Sequence, residues 1–598
     1  MSYRAPLPEI LFTMREAAGL DQGIASGLYA DLADGMTEQI LGEAAKLAED
    51  ILAPINRKGD QQGCRVANGA VITPDGWIDA YRKWQEGGWS GVTAPAEHGG
   101  MGLPQLLDSA CQEVWTSANM AFMLCPMVSA GAIEALVAHG SSELQRTYLP
   151  KIVSGEWTAT MNLTEPQAGS DLNALRTRAE RVGDGTYRIK GQKIFITYGE
   201  HDLTENIVHL VLARLPDAPP GTRGISLFVT PKFLVNPDGS PGARNDLRCH
   251  SIEHKMGIHG SPTCTMIFGD NDGAIGWLVG EENRGLACMF TMMNNARLGV
   301  SLQGVAIAEA ATQHALAYAN DRRQGRAAGY TGDGMGPIVL HPDVRRNLMT
   351  MKALTAAARA ICYLAATATD RAHRATDERE RKFNGERAAL LTPIAKAFST
   401  DIGNEVASLG VQVHGGMGFI EETGAAQFMR DARISAIYEG TNGIQAIDLV
   451  QRKIGMGGGD VTNREIADMR VTLRTHTAVN APEFGKMAQR LGEAVDALER
   501  ATLWMVETLG SSTADALAGA TPYLRLFGIA RGGVSLARLA LAAHRKAEKG
   551  AVDPAQKAFI AHARFFAENV AIGAGALELT ITEGAQSVHA AADALAVA

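Results

Sequence analysis

Cysteine is scarce in this chain: seven residues in 598, an odd number with no CxxC pair. That excludes a disulfide framework and points to a reducing compartment, the cytoplasm. Long apolar runs are missing too. None approaches the ~20 residues that cross a bilayer, and mean hydropathy is −0.05, so no membrane association is expected. Positive charge is not in excess. The 56 Lys+Arg against 65 Asp+Glu leave a net charge of −9, which removes any general attraction to nucleic acid or an acidic lipid surface. The opening MSYRAPLPEILFTMREA breaks its apolar stretch with charge and makes a poor secretory leader. What is present, 46% hydrophobic and 20% charged, supports a large buried core in about four structural units. A large intracellular enzyme is what these absences leave.

Residues 1–157 read mainly as helices. Met36–Leu52 and Ser141–Ile152 carry apolar residues at three- and four-residue spacing, around a Gly/Pro-rich loop at Thr93–Pro104. Over 158–282 the period drops to two. Thr186–Thr197, Asn206–Leu215, Gly224–Thr230 and Thr263–Phe268 are short β-rich runs parted by Gly, Pro and Asp, as in an antiparallel sandwich or barrel. Helical periodicity returns over 283–454. Leu298, Leu302 and Val305 mark one face of a long helix ending near Arg323, and Arg326–Pro342 is a loop. GMGGGD (Gly455–Asp460) lacks the Lys-Ser/Thr ending of a phosphate loop and reads as a linker.

Residues 461–598 read as an all-helical extension with Met487, Leu491, Val495 and Leu498 in one stripe. Thr521-Pro522 and Asp553-Pro554 each look like an N-cap followed by proline at the first helical position. From Asp460 onward 14 Lys+Arg face 15 Asp+Glu, a packed domain rather than a basic arm. The fold class is α+β, mainly α: an N-terminal helical domain, a central β-barrel or sandwich, a helical bundle and an extra C-terminal helical domain. The lack of βαβ alternation, and of GxGxxG after any strand, disfavours a nicotinamide-binding fold.

Several chemistries fail on spacing. Cys249, His250, His254, His259 and Cys264 crowd one stretch but fit no zinc pattern, so no metal site is expected. Ser/His/Asp hydrolysis lacks its GxSxG elbow. His414 reads as a packing or loop residue rather than a base. Four other segments suit a large phosphate-bearing flavin. MNLTEPQAGSD (Met161–Asp171) offers the hydroxyls of Thr164 and Ser170 and the open backbone of Gly169. In GQKIFITYG (Gly191–Gly199) Phe195 is suited to stack on a flat ring system while Thr197 bonds its edge. ANDRRQGR (Ala319–Arg326) ends the long helix with Arg322, suited to a pyrophosphate. Val411–Gln445 carries a double glycine and then Tyr-Glu-Gly-Thr.

In this order these segments resemble the acyl-CoA dehydrogenase family, from about Ala44 to Ile454. The likeness also includes PAEHGGMG (Pro95–Gly102), the GEENRGL turn and VQVHGGMG. The extension after Gly459, the MREA-type opening and KMGIHGSPTC (Lys255–Cys264) are similar to a large subgroup of that family. The resemblance implies FAD as cofactor and Glu439 as the catalytic base. The alternative family position for the base, just before Arg297, holds Ala296, which accepts no proton. It implies that Thr164, Gly169, Ser170, Phe195 and Thr197 contact FAD. Ser170, Asn294 and Arg297 then line the acyl-CoA path, and Arg322 and Gln324 reach the pyrophosphate across a dimer interface. Gln412, Gly415 and Gly416 hold the adenosine half, with Thr441 adjacent. Phe195 stands where tryptophan is frequent, Gly443 where glutamine is, and insertions lie near Arg326–Pro342 and Arg374–Arg387.

The implied reaction is α,β-desaturation of a short acyl-CoA, with an α-proton passing to Glu439 and a hydride to the flavin. The thioester oxygen is implied to rest on the Glu439 amide and a flavin hydroxyl. Subgroup resemblance favours a 3-(methylthio)propanoyl group, with general short- to medium-chain activity second and an oxidase that passes electrons to O2 third. A homodimer and an electron-transferring flavoprotein acceptor are implied as partners.

Overall fold

The period changes become three kinds of packing in the computed structural model, which describes residues 3–67, 69–551 and 553–596. The N-terminal part contains α1 (Leu7–Glu16), α2 (Gln105–Ala118), α3 (Met120–His139) and α4 (Ser142–Val153). Asn119 caps α3 by accepting from the Phe122 amide at 3.1 Å, and Ser141 caps α4 through the Leu144 amide at 3.3 Å. The helical reading of this part missed an antiparallel hairpin, Arg65–Ala67 with Ala70–Ile72. Three-residue strands are too short for alternation to register.

Eight strands follow in one sheet: β1 (Thr158–Asn162), β2 (Arg178–Arg181), β3 (Tyr187–Thr197), β4 (Ile207–Arg214), β5 (Ile225–Pro231), β6 (Leu247–Ile252), β7 (Thr263–Phe268) and β8 (Ala274–Val279). The order is β6-β7-β3-β8-β5-β4-β1, with β2 bridging β3 and β4. That bridge closes β3, β8, β5, β4 and β2 into a ring, so the unit is barrel-like. The antiparallel expectation needs one correction: β1 pairs β4 in parallel, and β2 meets β4 in parallel at Arg178 and Arg214. The sheet has its own core, including Ile189, Ile196, Val211, Phe228, Met266 and Phe268. The other face of β4 and β5, through Leu210, Leu212 and Leu227, belongs to the helical core. Covered on both sides, β4 reads as a nearly continuous apolar run interrupted by the buried His209.

Next come α5 (Gly285–Asp321), α6 (Pro342–Arg374), α7 (Glu378–His414), α8 (Ala425–Ala432) and α9 (Asn442–Asp448). A Cβ on Gly304 of α5 would sit 2.2 Å from the Ser399 carbonyl oxygen of α7, and one on Gly403 would sit 2.8 Å from the Gly304 oxygen. The two backbones touch there, and no other residue permits that approach. After the linker at 455–460 come α10 (Asp460–Val479), α11 (Met487–Ser511), α12 (Ala520–Glu548) and α13 (Pro554–Asn569). Met487, Leu491, Val495 and Leu498 are all buried, and Asp553 caps α13 by accepting from the Gln556 amide at 3.0 Å.

Thr521 is not an N-cap. Gly519 continues the helical path of the preceding turn, so α12 starts at Ala520, and Pro522 falls in a first turn that needs no amide hydrogen. The expectation about apolar runs is also corrected. Helices α3, α6 and α12 are long and apolar enough to cross a membrane by length and composition, but their apolar windows are largely buried in protein. A helix enclosed by other helices must be apolar on every side.

Candidate active site

Glu439 sits in the turn before α9, with φ 56 there and φ 80 at Gly440. A left-handed glutamate costs about 1–3 kcal/mol and persists only where its surroundings hold it. Four side chains do so. Thr441 caps α9 by accepting from the Ile444 amide at 3.2 Å. Gln445 donates to the Glu439 carbonyl at 3.1 Å. Lys396 of α7 donates to the Gly440 carbonyl at 2.8 Å and to Asn442 Oδ1 at 2.9 Å. The Tyr438 hydroxyl donates to Gln303 of α5, whose amide nitrogen reaches Met127 Sδ at 3.3 Å.

The Glu439 side chain is half-buried. Burial raises its carboxyl to about 7, against the opposing pull of Arg297 and Lys396. A carboxylate poised there is suited to take a proton near neutral pH. Burial also draws Lys396 down to about 7 and lowers Arg297. Arg297 Nη1 lies 3.3 Å from Asn294 Oδ1, while its Nε is buried with no hydrogen-bond partner among the described residues. Ala296 is buried and offers only a methyl group.

A second group gathers at the edge of the barrel. Between the Cys264–Ile196 and Met266–Lys193 pairs the register shifts, so Thr265 of β7 faces both Ile194 and Phe195 of β3. This bulge puts Phe195 at φ 59 with its side chain 59% exposed. Bulges that re-aim a side chain are frequent beside active sites. Thr197, two residues on, pairs with Thr263, and the Thr164 carbonyl accepts from the Ile194 amide at 2.9 Å. Gly169 and Ser170 are exposed, and a Cβ at 169 would meet nothing within 4 Å. Behind this lip a buried Lys193 donates to the Leu163 carbonyl at 3.0 Å and to Glu165 at 2.8 Å. Glu165 also accepts from the amides of Arg176 and Thr177. A cleft of about 590 Å³ runs from Met256 of the Lys255–Cys264 stretch to Ile437, Thr441, Asn442 and Gly443.

Arg322, Gln324, Gln412, Gly415 and Gly416 are exposed and lie elsewhere. At 1.5 Å per residue, α5 carries Arg322 roughly 38 Å from Arg297, too far to share one ligand with it. Backbone bonds from Ile338 to Arg322 and from Gln324 to Gly336 fold the inserted loop back on this end. His414 packs as expected, its Nδ1 2.7 Å from the Gly410 carbonyl oxygen and its ring on Tyr318. Among the described residues no three His, Cys, Asp or Glu side chains converge as metal ligands. His259 instead bonds the carbonyl oxygens of Asp60 and Lys255.

Sequence reasoning missed Lys396, Asn442, Gln303, Lys193 and Glu165. The usable signal was a lone polar residue within an apolar helical run, as in Pro393–Phe398 around Lys396.

Four family models match the chain in order. They are acyl-CoA dehydrogenase N-terminal domain (36–156), middle domain (160–271) and C-terminal domain (283–454), then acetyl-CoA dehydrogenase C-terminal like (466–592). The chain belongs to the acyl-CoA dehydrogenase family, FAD-dependent oxidoreductases acting on a CH–CH bond. It is 45% identical over 588 residues to 3-methylmercaptopropionyl-CoA dehydrogenase of Ruegeria pomeroyi, covering 98% of this chain and 99% of that protein. It is 36% identical to a butyryl-CoA dehydrogenase of Syntrophomonas wolfei, covering 84% of each. Its fold is similar to that of acyl-CoA dehydrogenase complexed with FAD from Bacillus anthracis, with TM-score 0.71, 21% identity and coverage of 93% of this chain and 88% of that one. Butyryl-CoA dehydrogenase from Megasphaera elsdenii gives TM-score 0.56 and 26% identity, covering 69% of this chain and 96% of that one.

Proposed function

We propose that this acyl-CoA dehydrogenase desaturates 3-(methylthio)propanoyl-CoA to 3-(methylthio)acryloyl-CoA, with Glu439 as the base. The observation that carries the base assignment is a half-buried carboxyl, raised to about 7, on a left-handed turn beside Arg297. The substrate rests on the 45% identity to the Ruegeria pomeroyi enzyme over nearly the whole of both chains. A general short-chain substrate is the second reading, supported by the butyryl-CoA dehydrogenase relatives.

The residues present fit FAD: an exposed Phe195 ring on the bulge, open backbone at Gly169, and hydroxyls at Thr164, Ser170 and Thr197. When bound, FAD supplies the acceptor for the hydride that leaves Cβ. The chain's own part is to place and desolvate the base. Glu439 takes the α-proton, and its backbone amide donates to the thioester oxygen, where negative charge grows. Asn294 and Arg297 line the acyl-CoA path, and Ser170 touches the CoA chain. Thr441, its hydroxyl already capping α9, lines the cleft.

Arg322 and Gln324 reach the flavin pyrophosphate of a second copy, which makes the working unit a homodimer, and Gln412, Gly415 and Gly416 hold the adenosine half. The roughly 38 Å that α5 puts between Arg297 and Arg322 supports this for Arg322 and Gln324. Phe419, 86% exposed beside the double glycine, supplies apolar surface for such an interface. The electron acceptor is an electron-transferring flavoprotein, and the seven unpaired cysteines support a cytoplasmic setting. Functional units are assigned to 1–157, 158–282, 283–454 and 461–598.

Anaerobic titration of the holoprotein with a panel of acyl-CoAs tests the reading. The methylthio thioester should bleach the flavin band most efficiently. Equal or better bleaching by butyryl-CoA transfers the assignment to a general short-chain enzyme, and rapid peroxide formation in air transfers it to an oxidase.

A further inference from the structure

We infer that Lys396 is a positioning residue for the reaction. By donating to the Gly440 carbonyl and the Asn442 side chain, it fixes the left-handed turn that aims the Glu439 carboxylate. The inference rests on Glu439 being the base.

Lys396 is 0% exposed, yet among the described residues its Nζ hydrogen-bonds no carboxylate. Its bonds go to a carbonyl oxygen at 2.8 Å and an amide oxygen at 2.9 Å, both in the turn after Glu439. A buried amine is costly unless its donors are used, and here they are used on two adjacent points of a strained segment. The same face of α7 takes hold of Asn442 from the other side. Asn442 Nδ2 donates to the Ala397 carbonyl at 3.2 Å, Thr400 Oγ1 at 3.0 Å and Asp401 Oδ1 at 2.7 Å.

Helix α7 in turn meets α5 backbone to backbone at Gly304 and Gly403, and α5 carries Asn294 and Arg297. Lys396 therefore ties the turn that holds the base to the helix that lines the acyl-CoA path. The charged groups facing this cluster are Arg297 from α5, Asp401 from α7, Asp448 from α9, Arg452 just beyond α9 and Glu439 itself. Glu439 and Asp401 favour the charged lysine, while burial opposes it.

K396M and K396Q, purified as holoproteins beside wild type and E439Q, provide the test. K396M should keep its FAD and bind the enoyl-CoA product within about three-fold of wild type. Its anaerobic flavin-reduction rate should fall about 100-fold, the scale of a slight misplacement of a reacting group. The acid limb of its rate–pH profile should move up by about half a unit, because a neighbouring cation is gone. K396Q, which keeps one donor, should recover about ten-fold of the loss. A wild-type rate and an unshifted limb in K396M overturn the inference, as does loss of FAD from both Lys396 variants, which makes the role one of folding. Normal bleaching by E439Q overturns the base assignment and this inference with it. A wild-type K396M beside an inactive E439Q overturns this inference alone.

Discussion

Glu439 and Phe195 share a backbone conformation that bulky residues avoid, φ 56 and φ 59, and they are held in it by opposite means. Glu439 is gripped from below by side chains of three helices: Lys396 of α7, Gln445 of α9 and, through Tyr438, Gln303 of α5. Its carboxyl is half-buried and its proton affinity is raised. Phe195 is held by a sheet, as the extra residue of a bulge whose ladder resumes on both sides, and its ring is left in the open. One lip of the site stores a perturbed charge. The other stores an unpaired apolar surface. In the proposed reaction, strain on the helical side would serve proton transfer, where direction and desolvation count, and strain on the sheet side would serve stacking, where area counts.

Removing the charge gives the largest expected effect. E439Q should lower anaerobic flavin reduction by about 10⁴-fold, the upper range for a general base, with FAD content unchanged. In wild type the reduction rate should rise with pH through about 7 and then level off, since only the carboxylate accepts a proton. Stability should move the other way. A folded value raised from 4.5 to about 7 gives a contribution that is present below 4.5 and lost as pH rises through 7. E439Q should therefore melt above wild type at pH 8, and the gap should close below about pH 4.5. Equal melting temperatures at both pH values would remove the desolvation argument.

The second effect sharpens the sheet side. K193M strips the buried cation from Glu165 behind the Phe195 lip. Orphaning one partner of a buried pair costs about 3–5 kcal/mol, and the lower end applies because Glu165 keeps donors from Arg176 and Thr177. The expected readouts are a lower melting temperature and weakened FAD retention, with the reduction rate of the remaining holoprotein near normal. A stable K193M with slowed reduction would mean that the sheet side also steers chemistry.

How far each side was legible in the sequence follows from the same contrast. The strands Thr186–Thr197 and Thr263–Phe268, the long helix through Leu298 and Val305, and the capped start at Asp553 all announce themselves by local period or local chemistry. Phe195 and Glu439 were singled out through motif resemblance, but nothing local signals that both would be left-handed. That depends on a register shift against β7 and on a lysine 43 positions upstream of Glu439. Lys396 and Gln303 read as isolated polar residues in apolar runs and Lys193 as one of several polar residues in its strand, and their partners lie on other elements. The hairpin at 65–72 and the parallel pairings of β1 and β2 were missed because short strands carry almost no period. The α3, α6 and α12 windows were under-read because a helix enclosed by protein and one enclosed by lipid have the same apolar composition.

The smallest expected effect is the most direct test of the contrast. F195A removes an exposed ring and leaves the bulge, so the folded protein loses little. The side chain is already in water, and alanine keeps the Cβ that sets the backbone strain at φ 59, so that strain is unchanged. The melting temperature of the apoprotein should therefore stay within a degree or two of wild type, in contrast to K193M. FAD affinity should fall about ten-fold, since an aromatic stack contributes about 0.5–1.5 kcal/mol beyond buried area. Isothermal titration of apoprotein with FAD measures this directly. F195W should bind at least as tightly as wild type, because the larger indole face extends the stack. If F195A instead destabilised the apoprotein while binding FAD normally, the ring would be a core residue in disguise, and the division between a gripped charge and a waiting surface would fail.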